Sequence, residues 1–169
     1  MITDSYKRFL QVLFLAALQV LVFSHIHLWG YATPLVFVSL LIYVPSSSPR
    51  ISTLIWSFLL GLFVDIINTT PGVACGSMTL AAMCQRPLLG IMAPRDSGED
   101  ITPSYSSMGT TNHVRYVALL IGIHQIAYFI LDIFSFHHIG EFFLYALSSY
   151  ALTLLIVLAM ERLRDKMLR

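Results

Sequence analysis

Two aspartates stand inside otherwise apolar sequence, and any chemistry in this chain would start from them. Asp65 follows Gly61 by four positions in Gly61-Leu-Phe-Val-Asp65, and a tight polar corner, Asn68-Thr-Thr-Pro-Gly72, comes next. Ser57, Gly61 and Asp65 repeat at i, i+4, i+8, which puts them on one helix face. His124, Tyr128 and Asp132 form a second such stripe, with Gln125 beside it. Tyr145, Ser149 and Thr153, with Ser148 adjacent, form a third. A carboxylate at mid-bilayer costs about 2.5–3.5 kcal/mol on insertion scales, so a membrane acid reads as functional or as critical to packing.

Two acids on different membrane helices are the ingredients of an intramembrane aspartyl peptidase, where one carboxyl stays protonated while the other activates water. The motifs of such enzymes are missing. Neither aspartate lies in the Asn-containing surroundings found in lipoprotein signal peptidases, and there is no Gly-x-Gly-Asp of the presenilin-like kind. Gly-x-Ser-x-Gly, a phosphate-cradling Gly-rich loop with Lys, and His-Glu-x-x-His are also absent. The sequence therefore predicts no catalysis and implies no cofactor. Each polar residue also has a structural reading. Asp65 can cap the helix that follows it or accept bonds from the Asn68–Gly72 turn. Asp132 can be an interfacial carboxylate wetted by headgroup water. His124 reads as a neutral imidazole bonded to a neighbouring helix rather than as a proton relay. His25, His27, His137 and His138 fall on outward-facing segments, but pairs on unanchored loops arise by chance and predict no metal site.

These residues must be positioned by membrane helices. The 169 residues are 57% hydrophobic and 11% charged, with mean hydropathy +0.76. Soluble domains carry about 25% charged residues, so this chain has less than half the usual surface charge. A net charge of +1 excludes a nucleic-acid binder, which needs a basic face. Cys75 and Cys84 lack CxxC spacing and read as small buried residues.

A bilayer core takes about 20 helical residues to cross, and the apolar runs predict spans at about 9–29, 32–45, 51–68, 73–92, 114–136 and 142–160. The first follows Lys7-Arg8 without an A-x-A cleavage pattern, so it is expected to remain as a span. The second is short, bracketed by Pro34 and Pro45, and the fourth is interrupted by Gln85-Arg86-Pro87. Residues 93–113, with Pro94, Pro103 and three acids, read as a cytoplasmic loop. With an inside N-terminus, all ten Lys and Arg fall on the cytoplasmic side, the bias expected of cytoplasmic loops. Trp29, Tyr31, Tyr43, Tyr105 and Tyr116 read as interface anchors. The expected architecture is one all-α domain of six transmembrane helices with both termini cytoplasmic, its polar stripes turned inward around a shared seam. Ser57-xxx-Gly61 is a small-xxx-small pattern suited to close helix approach.

Taken together, several features resemble the bacterial rod shape-determining protein MreD family over essentially the full length. They are the short second span between Pro34 and Pro45, the Gly61-Leu-Phe-Val-Asp65 helix followed by Gly72, Arg86-Pro87, Ala93-Pro-Arg-Asp96, and His124 with Asp132. Asp132 stands where similar members carry glutamate, and the Asp65-to-Gly72 gap is a residue shorter than in some relatives. The resemblance implies a non-enzymatic scaffold of the lateral cell-wall elongation complex in the bacterial cytoplasmic (inner) membrane. Such a scaffold pairs with MreC and connects MreB filaments to peptidoglycan synthesis by RodA and a class B penicillin-binding protein. It also implies an architecture similar to the substrate-binding components of energy-coupling-factor transporters, and hence an alternative in which the seam holds a small solute. The residues expected to matter for partner binding or packing are Ser57, Gly61, Asp65, Gly72, His124, Tyr128 and Asp132.

Overall fold

The computed structural model describes residues 34–93, 102–132 and 139–167, together with Leu10, Val12, residues 14–17 and Gln19. Among the described residues every regular element is helical. The expected first span lies mostly outside this set, as do His25, His27, His137 and His138.

A 3-10 turn, Val36–Val38, runs straight into α1 (Ser39–Ile42). The long helices follow: α2 (Arg50–Asn68), α3 (Val73–Met92), α5 (Thr110–Asp132) and α6 (Ile139–Met167), with the short α4 (Tyr105–Met108) before α5. Among the described residues three stretches are long and apolar enough to cross a membrane: α2, α5 and residues 144–166 of α6. α3 has 20 residues, but Gln85 and Arg86 dilute its apolar character, and Pro87 sits inside it. Its closest packing is on α2 and α5, while α6 packs on α5.

The region expected as a second span, 32–45, takes a different form. Its helical part is seven residues, Val36 to Ile42, which advance about 12 Å. A hydrocarbon core is about 30 Å thick, so this segment is far too short to cross alone. It is instead deeply buried: Phe37, Val38, Leu41 and Ile42 have no exposed surface. A helix apolar all round belongs in a core. Pro34 and Pro45 bound it, the latter because the residue before a proline avoids helical geometry. Two further boundaries differ from expectation. Residues 105–113, read as loop, hold α4 and the first turn of α5, and α6 continues past 160 to Met167. Ser104 nucleates α4 through a capping box with Ser107.

So short a buried helix cannot pair its own backbone, since its first N–H and last C=O groups have no partner within it. Side chains from other parts of the bundle supply them. Gln19 donates through Nε2 to Pro34 O and accepts Val36 N–H at Oε1, both at 2.9 Å. Thr153 Oγ1 accepts Leu35 N–H at 3.0 Å. At the other end Gln85 Nε2 donates to Leu41 O at 2.8 Å and Val44 O at 3.2 Å, and Arg86 donates to Ser48 O.

Gln85→Leu keeps the side chain's bulk but removes both bonds, leaving two buried carbonyls short of a donor. A loss of about 1–3 kcal/mol is expected, read as a lower thermal unfolding midpoint of the purified protein in detergent. An unchanged midpoint would show that water satisfies those carbonyls instead.

Candidate functional site

The stripe from Ser57 to Asp65 faces the start of α3. Thr53, Ser57, Leu60, Gly61, Val64 and Asp65 are the buried residues of α2, and its opposite face exposes Ile51, Ile55, Phe58, Leu62 and Ile66. The α2 helix ends at Thr69, in the left-handed conformation with φ +56°, and both Thr69 and Thr70 N–H close onto Asp65 O. Gly72 then occupies the N-cap of α3 with φ +88°, a geometry that favours glycine. A glycine has no side chain to cap with, and the first-turn amides of α3 would be left open.

Asp65 fills that role from the preceding helix. Its Oδ1 accepts Ala74 N–H at 2.8 Å and the Thr70 hydroxyl at 3.0 Å, and its Oδ2 accepts Cys75 N–H at 2.9 Å. The carboxylate is buried and sits on the positive end of the α3 dipole. Gly61 makes the approach possible. A Cβ there would fall 2.4 Å from Cys75 Cα and 2.6 Å from Ala74 O, both backbone atoms that cannot give way. Ser57, one turn earlier, bonds back to Thr53 O at 2.8 Å and leaves that face smooth.

The second stripe, on α5, is placed along α3 and the buried core segment. His124 is wholly buried, with Nε2 3.4 Å from Ser77 Oγ on α3 and its ring edge-on to Phe37 at 5.0 Å. Its Nδ1 has no hydrogen-bond partner among the described residues. Tyr128 is half-buried, its ring 6.2 Å from His124, and lies within electrostatic reach of both Asp132 and Asp65. Asp132, the last residue of α5, is half-exposed. Gln125 Nε2 donates to Thr153 Oγ1 at 3.0 Å, joining α5 to the third stripe, and Thr153 donates to Ser149 O at 2.7 Å. The polar seam is therefore threaded through Gln125, Thr153, Gln19 and the backbone at Pro34 to Val36.

A second polar cluster escaped the sequence reading. His113 of α5 and Glu161 of α6 pair through Nε2 and Oε2 with almost no solvent exposure. The Tyr105 ring leans over His113 at 4.4 Å, Arg162 lies over Tyr105 at 5.2 Å, and Arg164 lies over Tyr43 at 4.4 Å. These contacts gather the start of α5, the end of α6, α4 and the residue after α1 at one end of the protein. The signal was an acid directly after the apolar run 154–160, but its partner lies 48 residues away. Tyr150, equally unremarked, donates to Ala118 O at 3.1 Å and pins α6 to α5. Among the described residues no cluster of His, Cys, Asp or Glu is arranged to hold a metal ion. Comparison with protein-family models, curated proteins and solved structures finds no match.

Chemically, the arrangement around Asp65 is a held joint. Both carboxylate oxygens are engaged by N–H and O–H donors of the same chain. Asp65→Ala should cost about 1–3 kcal/mol by orphaning two amides of α3, seen as a drop in thermal midpoint. A stability equal to the native protein would free Asp65 from the capping role. Glu161→Ala leaves a buried imidazole nitrogen without its partner and should cost about 1–3 kcal/mol. Glu161→Gln retains a bonding partner and should lose clearly less, and equal losses would mean that the side chain's packing alone matters.

Proposed function

We propose that this chain is a non-catalytic membrane scaffold of the bacterial cell-wall elongation machinery, as its MreD-like sequence features imply. In this reading it lies in the bacterial cytoplasmic membrane with both termini inside and six crossings, the second made by the short buried helix together with the chain before it. It pairs with an MreC-like membrane protein, and through it with MreB, RodA and a class B penicillin-binding protein.

The observation that carries the scaffold reading is the way the intramembrane polar groups are spent. Asp65 holds the first turn of α3, Gln125 and Thr153 hold each other and Leu35, and Gln19 and Gln85 hold the ends of the buried segment. A protein whose polar residues lock its own helices offers a rigid body to a partner. The exposed apolar faces, such as Ile51, Ile55, Phe58, Leu62 and Ile66 on α2, are the remaining surface for lipid or another membrane helix. A solute-binding component would need its seam open to a ligand, whereas Phe37, Val38 and Leu41 occupy the middle of this bundle. A peptidase would need a carboxylate free to activate water, and Asp65 has both oxygens occupied.

Co-expression with an MreC-like protein from the same genome tests the proposal. The two should co-purify in mild detergent, and depletion of this chain should round rod-shaped cells. Absence of any complex, together with unchanged cell shape on depletion, would overturn the reading. A co-purifying vitamin-sized molecule or ATPase module would replace it with the transporter alternative.

A further inference from the structure

Between the start of α2 and the end of α3 lies a cavity of about 200 Å³, at the end of the protein that also holds Arg162 and Arg164. Its polar wall is Arg50, Arg86, Thr53 and Gln85, and its apolar wall includes Leu54, Met83 and Pro87. Among the described residues no carboxylate lines it. We propose that this cavity is a binding site for the phosphodiester headgroup of an anionic phospholipid.

Three observations meet here. Arg86 is half-buried and donates one N–H group to Ser48 O. A guanidinium carries five N–H donors in a planar fork suited to phosphate oxygens, so Arg86 is held in place with donors to spare. Arg50 is the first residue of α2, exposed, and no acidic side chain stands in that first turn to compete for it. The cavity's apolar wall then continues onto exposed hydrocarbon: Ile51, Ile55 and Met83 are 72%, 51% and 65% exposed. A free phosphate would use only the guanidiniums. A lipid would use both walls, with its phosphate and glycerol in the cavity and its acyl chains along α2 and α3. Basic pockets between membrane helices bind anionic headgroups in this way. The volume suits a phosphate with its glycerol, being smaller than the roughly 300–1,000 Å³ of sites that enclose a whole drug-sized ligand.

A second cavity at the same end, of about 300 Å³, has the opposite balance. It is lined by Glu161 and Asp165 as well as Arg164, so an anion entering it meets two carboxylates. Charge therefore selects the cavity between α2 and α3.

Native mass spectrometry of the protein purified in neutral detergent tests the site, with phosphatidylglycerol, phosphatidylcholine and glycerol 3-phosphate added in parallel. Phosphatidylglycerol should be retained about tenfold better than phosphatidylcholine, an advantage of about 1.4 kcal/mol, and glycerol 3-phosphate should not compete at equal concentration. Arg50→Gln should abolish that preference without changing the thermal midpoint of the lipid-free protein, because Arg50 is exposed. Met83→Glu, also at an exposed position, should do the same by placing a carboxylate in the cavity wall. Equal retention of the two lipids, or an undiminished preference in both variants, overturns the proposal. Equal competition by glycerol 3-phosphate overturns the lipid as the source of the phosphate.

Discussion

A backbone amide or carbonyl buried away from water has to be paired, and the chain from Pro34 to Val44 imposes that requirement at the centre of this protein. Its seven helical residues are too few to satisfy themselves, and every neighbour of Phe37, Val38 and Leu41 is protein. Glutamine suits the task because one side chain ends in both a donor and an acceptor. Gln19 uses both ends, bonding Pro34 O and Val36 N–H much as a neighbouring strand would. Gln85 spends its two donors on Leu41 O and Val44 O. Pro34 lessens the demand by bringing no N–H of its own. Because these bonds reach the backbone, they tie α3, α6 and the helical residue Gln19 to one central segment.

The α2–α3 corner solves a related problem with a different pair of residues. Glycine at 72 allows the left-handed turn into α3 but provides no cap, and the amides of Ala74 and Cys75 then need an acceptor. Asp65 reaches them only because Gly61, one turn earlier, lets the two backbones close to a distance that any side chain would prevent. Neither residue works without the other. Together they turn a polar corner between apolar helices into a fixed joint, with a carboxylate on a helix N-terminus where its charge is favoured.

The described charged side chains divide between the two ends of the helices. Asp65 and Asp132 lie at the end where α2 and α5 finish, whereas Arg50, Arg86, Arg162 and Arg164 lie at the other, engaging or adjoining Ser48, Tyr43 and Tyr105. Glu161 also lies at the basic end but is paired inward with His113. Arg50 and Arg86 flank the cavity at that end.

Local pattern was enough to read the all-helical class, the membrane-crossing length of α2, α5 and most of α6, and the shared face of Ser57, Gly61 and Asp65. Each depends on residues within a few turns of one another, where periodicity reports directly on geometry. The capping role of Asp65 was also open to reading, since the carboxylate and the amides it meets are nine and ten positions apart. Hydropathy could not tell that Val36 to Ile42 would be a buried core segment, because an apolar run looks the same whether it meets lipid or other helices. Nor could it pair His113 with Glu161 or Gln85 with Leu41, which lie 48 and 44 residues apart. Those partners are chosen by which helices pack together, and packing is a property of the assembled bundle rather than of any stretch of chain.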